Sequence, residues 1–101
     1  MRGVAGFTFD AEVWISETHR SVHFVSLPEP VADEIDELFG DVAKGFGSQK
    51  VEVTIGRTTW STSIFPSDKN GTYVLPVKAT VRKAEGLELG STAKVFLTVV
   101  P

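Results

Sequence analysis

The residues that could do chemistry in this chain are few and widely spaced. The sequence has two histidines, His19 and His23, and no cysteine. Because no thiolate is available and no carboxylate lies at a spacing that a strand would bring beside the histidines, we expect no metal site. Ser61 and Ser63 lack the surrounding glycine pattern of a nucleophile elbow, and Gly45-Phe46-Gly47 is not a phosphate loop. The sequence therefore predicts no catalytic residues, no cofactor and no enzyme activity.

Three cations form a group with a defined shape. Lys78 and Arg82 are four residues apart, which places them on one side of a predicted helix, with Lys83 beside them. Such a group either binds an anion, or stabilises its own helix C-terminus and pairs with acidic residues elsewhere. The turn-rich segment 66–71 is expected to flank the same strands. We therefore predict a binding surface at the mouth of a barrel, formed by Ser63, Pro66, Lys78 and Arg82.

The two tryptophans lie on different predicted faces. Trp60 is opposite Val53 on an apolar face and is expected in the core. Trp14 lies on the polar face of its predicted strand, with Asp10 and Glu12, and beside His23 in the predicted register. Trp14 and His23 are therefore either covered by another element or form an exposed patch for a partner.

The elements that position these residues begin with a strand. Alternating apolar residues predict it from Phe7 to Ile15, and the polar segment 17–20 predicts a hairpin turn after it. The expected cross-strand pairs are Ile15–Val22, Trp14–His23 and Val13–Phe24.

A helix of about three turns is expected after Pro28, which ends the second strand. Gly40 is the predicted C-terminal stop of this helix, and the segment 41–49 is a predicted loop. Its apolar stripe consists of Val31, Ile35, Leu38 and Phe39.

The second half of the chain begins with a hairpin around Gly56-Arg57, in which Lys50–Ile55 pairs with Thr58–Phe65. A short strand ends at Pro76. The apolar spacing from Val77 predicts a two-turn helix that Gly86 ends, and the alternation over 93–99 predicts a central closing strand.

One pattern occurs twice. Leu27-Pro28 and Leu75-Pro76 each end a strand and precede a short helix, which suggests two similar halves around one barrel-like core. Residues 1–49 carry three basic and nine acidic residues, whereas residues 50–101 carry seven basic and four acidic residues. The halves thus have net charges of −6 and +3. This favours attraction between the halves and disfavours nucleic acid as a partner.

Length and composition are typical of one globular domain. The 101 residues, 42% of them apolar, suffice for a single core over 1–101. No apolar run approaches the roughly 20 residues that span a bilayer, and Met1-Arg2-Gly3 does not begin a signal peptide. We therefore expect a cytoplasmic protein without a membrane segment, as a monomer or a homodimer.

Several segments together resemble an uncharacterised bacterial family called Domain of Unknown Function nineteen-oh-five, over nearly the whole chain from Phe7 to about Val99. The segment 75–90 is also similar to AbrB/MazE-type swapped-hairpin proteins, which are dimeric DNA-binding regulators and antitoxins. The residues that carry the family resemblance are Phe7, Phe9, Ala11, Val13, Phe24-Val25-x-Leu27-Pro28, Ile35, Trp60-x-Thr62-Ser63-Ile64-Phe65-Pro66 and Leu75-Pro76-Val77-Lys78-x-x-Val81-Arg82-Lys83-Ala84-x-Gly86-Leu87.

The resemblance implies a mainly β fold, a double-split β-barrel of about six or seven strands capped by two short α-helices. Because helices cap the barrel ends in that fold, we favour a covered Trp14. Gly90-Ser91 stands where the family usually has Gly-Asp, and serine can cap the same turn. The family has no established activity.

Two functions follow as hypotheses. The first is a non-enzymatic binding or interaction module for an unknown ligand or protein partner. The alternative is an AbrB-like dimeric DNA-binding regulator, which the charge of −6 on residues 1–49 disfavours.

Overall fold

Seven strands and two helices follow one another in the computed structural model, which describes residues 6–18, 21–43, 48–67 and 72–100. They are β1 (Gly6–Glu12), β2 (Trp14–Ile15), β3 (His23–Ser26), α1 (Glu29–Ala43), β4 (Gln49–Ile55), β5 (Thr58–Ser67), β6 (Thr72–Pro76), α2 (Ala79–Glu85) and β7 (Thr92–Val99). The predicted mainly β fold with about seven strands and two helices is confirmed.

The strands form one curled antiparallel sheet in the order β1-β7-β4-β5-β6-β3-β2. Its two end strands, β1 and β2, are separated in the chain by Val13 alone, so the ends of the sheet meet at that residue. The backbone of Val13 bonds the turn before β7: its N–H donates to the Ser91 carbonyl at 2.8 Å, and its carbonyl accepts from the Gly90 N–H at 2.9 Å. These two bonds continue the β1–β7 ladder beyond Glu12 and Thr92, and the sheet as a whole curls into a half-barrel.

The turn that holds Val13 is itself capped by serine. The Ser91 hydroxyl accepts the N–H of Glu88 at 2.9 Å, and the Ser91 N–H donates to the Glu88 carbonyl at 2.9 Å. Gly90 has φ +90°, which favours glycine. The expectation that Ser91 caps this turn is confirmed.

The core lies inside the curl of the sheet. Buried and exposed residues alternate along β1, β4 and β7, as the period of two requires. β7 pairs with both β1 and β4, which confirms its predicted central place. The largest fully buried side chains are Val13, Val25, Leu27, Ile35, Val51, Val53, Ile64, Leu75, Val77, Val81, Val95 and Leu97.

The β4–β5 hairpin has the predicted register throughout, from Ile55 opposite Thr58 to Val51 opposite Thr62. Gly56 has φ +60°, and a Cβ atom at this position would overlap the Glu85 carboxylate of α2. That carboxylate accepts the Thr58 hydroxyl at 2.6 Å and the Arg57 N–H at 3.3 Å. The turn therefore requires glycine both for its backbone and for the docking of α2.

The two Leu-Pro strands pair with each other. β3 lies antiparallel to β6, with Val25 opposite Leu75. Leu27 N–H donates to the Tyr73 carbonyl at 3.0 Å beyond one end of this ladder, and Val77 N–H donates to the His23 carbonyl at 2.8 Å beyond the other. α1 follows β3 and α2 follows β6. Each half of the chain thus contributes one strand to this pair and one helix directly after that strand.

The predicted register of the first hairpin is wrong by one residue. Trp14 pairs with Phe24 and Ile15 with His23, instead of His23 and Val22. The indole stacks on Phe24 with ring centroids 5.0 Å apart, and its N–H donates to the Ser26 hydroxyl at 2.9 Å. The apolar alternation of the first strand does continue to the buried Val13, so the error lies in the pairing of β2 with β3 and not in the facing of β1.

The apolar stripe predicted for the first helix is wrong at one end. Leu38 is 55% exposed, and within residues 29–38 of α1 the buried side chains are Ala32 and Ile35. Asp36 accepts the Tyr73 hydroxyl at 2.5 Å, which fixes the rotation of the helix and turns Leu38 away from the core. The side chain of Phe39 lies outside the described residues.

Gly40 and Gly86 were each predicted to end a helix, and only Gly86 does so. α1 continues to Ala43, so Gly40 is not its end, and residues 44–47 of the predicted loop lie outside the described residues. An interior glycine costs a helix about 1 kcal/mol, which packing can offset. α2 ends as predicted at Gly86, which has φ +64° and donates its N–H to the Arg82 carbonyl.

Candidate functional site

A cleft of about 340 Å³ lies where α2 begins, between that helix, the start of β3 and the middle of β5. We call it the α2 cleft. Its principal lining residues are Val22, His23, Trp60, Thr62, Lys78 and Arg82.

The local sequence of β6 and α2 positions the cations of the cleft. Pro76 cannot donate to a sheet ladder and ends β6, and Lys78 is the extended N-cap residue of α2, with φ −69° and ψ 160°. Val81 is buried and anchors the inner face of α2. Because Lys78 and Arg82 are four residues apart, they share the side of the helix that faces the cleft.

Arg82 is held by two contacts. Its Nε–H donates to the Val77 carbonyl at 3.1 Å, and its Nη1 lies 3.5 Å from the Nε2 atom of His23. Because a guanidinium only donates hydrogen bonds, His23 Nε2 is the acceptor in this contact. His23 Nδ1 is buried and has no hydrogen-bond partner among the described residues. Neither partner of Arg82 is an anion.

The four residues of the predicted barrel-mouth surface do not form one site. Lys78 and Arg82 lie together in the α2 cleft, whereas Ser63 lines a shallow depression with Lys50 and Phe65. Pro66 lines cavities further along β5. Because a strand rises about 3.3 Å per residue, Pro66 is roughly 20 Å along β5 from Trp60. Proximity in the chain therefore did not bring Ser63 and Pro66 into the cleft.

Trp14 and His23 do not form one patch either. His23 lines the α2 cleft, while Trp14 lies over Phe24 in a separate depression that also includes Pro66 and Val74. Trp14 is half-buried. The predicted contact between Trp14 and His23 is absent because the register places Phe24 opposite Trp14.

Trp60 and Thr62 belong to the cleft although the sequence did not assign them to a site. The predicted core position of Trp60 is confirmed, since its side chain is only 9% exposed. The same ring also lines the cleft. A pattern of apolar alternation indicates burial but does not indicate which buried side chain borders a cavity.

A second cavity, of about 320 Å³, lies between α1, the end of β5 and β6. We call it the α1 pocket, and its lining includes Ala32, Asp33, Asp36, Thr72 and Tyr73. Burial of the phenol and its hydrogen bond to Asp36 raise the pKa of Tyr73 to about 12. The Tyr73 hydroxyl and the Asp36 carboxylate are therefore already hydrogen-bonded to each other.

Neither cavity offers a metal centre. Within residues 6–18, 21–43, 48–67 and 72–100, no three His, Cys, Asp or Glu side chains come together in a way that could hold a metal ion. In the same ranges, no helix has the length and apolar character needed to cross a membrane.

The fold and its cavities define a small, mainly β protein with two paired strand–helix halves. Residues 9–97 match the family described as Domain of unknown function (DUF1905), and the chain belongs to this family. The matched range includes both helices and most of the sheet, so the predicted family resemblance is confirmed. No curated protein matches the sequence. The similarity to AbrB/MazE-type proteins stays a prediction.

Proposed function

We propose that the protein is a non-enzymatic binding module and that the α2 cleft is its recognition site. The observation that carries this proposal is the convergence of Lys78 and Arg82 with Trp60 in one cavity. Charged and aromatic side chains around a concave site are typical of ligand recognition. Its volume of about 340 Å³ lies at the lower end of the range of roughly 300–1,000 Å³ found for small-molecule sites.

The contacts of His23 favour binding over catalysis. Its Nε2 atom accepts a hydrogen bond from Arg82, whereas a histidine that activates a nucleophile would contact a hydroxyl or a thiol. The sequence contains no cysteine, and the cleft is lined by the hydroxyl residues Ser21, Ser61 and Thr62, none of which hydrogen-bonds to the His23 ring among the described residues. His23 therefore serves in this proposal to position Arg82.

Nuclear magnetic resonance tests the location of the site. The ¹⁵N-labelled protein is titrated with a set of small anionic, neutral and cationic organic fragments. We expect the amide shifts of the fragments that bind to cluster at residues 60–62 and 77–82. Clustering around the α1 pocket, or no amide shift with any fragment, would contradict the proposal.

A matched pair of substitutions tests whether the cleft itself is filled. Ala79 and Ala84 are both exposed on α2, but Ala79 lines the cleft and Ala84 lines none of the cavities described above. Ala79→Phe should abolish fragment binding by filling the cavity, while Ala84→Phe should retain it. Equal binding by both variants would place the ligand elsewhere.

Turnover assays test the proposal that the protein has no catalytic activity. The protein is incubated with a panel of aryl esters, phosphate esters and amides, and the products are measured. We expect no hydrolysis above that of buffer. Hydrolysis that disappears in His23→Gln would overturn the non-enzymatic proposal.

The alternative remains an AbrB-like dimeric DNA-binding regulator. The exposed cations Lys78 and Lys83 on α2 favour it, in the segment that resembles those proteins. A gel-shift assay with duplex DNA at low salt, combined with light scattering to determine the oligomeric state, distinguishes the two functions. We expect no complex, and a salt-dependent complex with a dimer would favour the alternative.

A further inference from the structure

The charge of the α2 cleft indicates the class of its ligand. Two cations, Lys78 and Arg82, line the cavity, and no carboxylate of the described part of the chain is among its lining residues. We infer that the cleft binds a small organic anion, with a carboxylate or phosphate group at Arg82 and Lys78 and an apolar body against Trp60. This inference rests on the proposed function, because it assigns a ligand class to the same cleft.

Arg82 has hydrogen-bonding capacity to spare for such a group. A guanidinium carries five N–H groups, and two of these are used on Val77 and His23. The remaining three have no hydrogen-bond partner in the parts of the chain that the structure describes. Carboxylates and phosphates are the partners that match a planar guanidinium with two parallel hydrogen bonds.

The partners of Arg82 also leave its charge available. The Val77 carbonyl and the Nε2 atom of His23 orient the guanidinium without neutralising it, because neither is an anion. Arginine that is already paired with a buried carboxylate would attract a second anion far less. The contacts of Arg82 therefore fix its position and preserve its attraction for a ligand anion.

The rest of the cleft is suited to an apolar body. Trp60 and Val77 are buried at its wall, and Val22 at its edge is 38% exposed. Ser61 and Thr62 also line the cleft. An aromatic or aliphatic carboxylate or phosphate thus contacts both parts of the site, whereas an inorganic anion contacts only the cations.

The fluorescence of Trp60 reports directly on ligand binding in the cleft. The sequence contains two tryptophans, and Trp14 lies outside the cleft, so Trp14→Phe leaves Trp60 as the single reporter. In this variant we titrate phenyl phosphate, benzoate, benzyl alcohol, benzylamine and inorganic phosphate. The affinity should be highest for the two aromatic anions, at least tenfold weaker for benzyl alcohol and inorganic phosphate, and undetectable for benzylamine. The ratio of the affinities for benzoate and phenyl phosphate identifies whether the cleft prefers a carboxylate or a phosphate.

Substitutions in the same background test the role of each cation. Arg82→Gln should weaken binding of the preferred anion at least tenfold, and Lys78→Gln by several-fold. Lys83→Gln is the matched control: Lys83 is on the same helix but does not line the cleft, so its effect should be less than twofold. Amide shifts of the ¹⁵N-labelled wild-type protein verify the location if Trp14→Phe fails to fold.

The outcomes separate this inference from the proposed function. Equal affinities for benzyl alcohol and benzoate, with amide shifts in the cleft, would overturn the anion assignment and leave the cleft as the binding site. Anion binding that Arg82→Gln and Lys83→Gln weaken equally would show general attraction to a cationic surface and would also overturn it. Binding of none of the five compounds would contradict the anion assignment, while neutral or cationic fragments shifting the cleft amides would still support the binding module.

Discussion

The two cavities beside the helices are built alike and differ in charge. In each, a side chain of a helix contacts a side chain from the strand of the other half: Asp36 of α1 contacts Tyr73 of β6, and Arg82 of α2 contacts His23 of β3. Their volumes are similar, about 320 and 340 Å³. The α1 pocket is lined by Asp33 and Asp36, whereas the α2 cleft is lined by Lys78 and Arg82.

The two contacts differ in the hydrogen-bonding groups and the charge that remain available once each contact has formed. The Tyr73 hydroxyl donates a hydrogen bond to the Asp36 carboxylate, so the contact satisfies a buried donor and holds α1 in place. Arg82 uses two of its N–H groups on partners that are not anions, so its positive charge is not neutralised. The same strand–helix arrangement supplies a structural contact in the first half, and in our proposal it supplies a binding group in the second.

The largest expected effect tests whether both halves belong to one core. Leu27 and Leu75 end the two paired strands and are both fully buried. Leu27→Ala and Leu75→Ala should each lower the free energy of unfolding by about 2–5 kcal/mol, from lost burial and the cavity left behind. Urea denaturation measures this change. Leu38→Ala, at an exposed site of α1, is the control and should change stability by less than about 0.5 kcal/mol. A small effect at either Leu27 or Leu75 would show that the halves are not equivalent.

The second prediction concerns alkaline pH and the α1 pocket. The folded-state pKa of Tyr73, about 12, is above the unfolded value of 10.0, so the protonated phenol is favoured in the fold. Its contribution to stability is complete below pH 10 and should be lost as the pH rises to about 12, on the order of 2 kcal/mol. Tyr73 is the single tyrosine of the sequence, so tyrosinate absorbance follows it alone. A midpoint near 10 in the folded protein would contradict the buried contact.

A third experiment divides the causes of that pKa shift. Burial is the largest cause, and the hydrogen bond and charge of Asp36 come after it. Asp36→Asn should therefore lower the pKa of Tyr73 but leave it above 10, because the ring stays buried. The same absorbance titration on this variant checks the result. An unchanged midpoint would mean that the carboxylate contributes nothing to holding the phenol.

The smallest expected effect is at the α2 cleft. Arg82→Gln should change the free energy of unfolding by less than about 1 kcal/mol, because a partly exposed hydrogen bond contributes roughly that much or less. Tyr73→Phe, measured by urea denaturation at neutral pH, should cost more, since its acceptor is charged. Greater destabilisation by Arg82→Gln than by Tyr73→Phe would reverse the assignment of the structural and the binding contact.

The parts of the fold that local sequence determines were predictable. The two-residue turn at Gly56-Arg57 fixes the register of β4 and β5, and every predicted pair is present. The register of β2 and β3 was not, because residues 16–22 separate the paired Ile15 and His23, and a connection of that length does not fix the register of a hairpin. The rotation of α1 likewise depends on Asp36 and Tyr73, which are 37 residues apart.

The candidate site, like the fold, has one part that local sequence predicts and another that depends on tertiary contacts. The spacing of Lys78 and Arg82 on one helix placed them together from the sequence alone. His23 is 59 residues from Arg82 and Trp60 lies on another strand, so only the tertiary pairing of β3 with β6 and of β6 with β5 brings them to the same cleft. Ser63 and Pro66 were assigned from their nearness to a turn. The length of β5 separates Pro66 from the cations, and Ser63 lines a neighbouring depression instead of the cleft.

A crystal structure with phenyl phosphate tests most directly the claim that the two cavities have different tasks. Our account predicts the phosphate within hydrogen-bonding distance of the Arg82 guanidinium and the phenyl ring against Trp60, with the α1 pocket empty of ligand. A phosphate bound beside Asp33 and Asp36, or an α2 cleft without ligand while the compound occupies another surface, would contradict it.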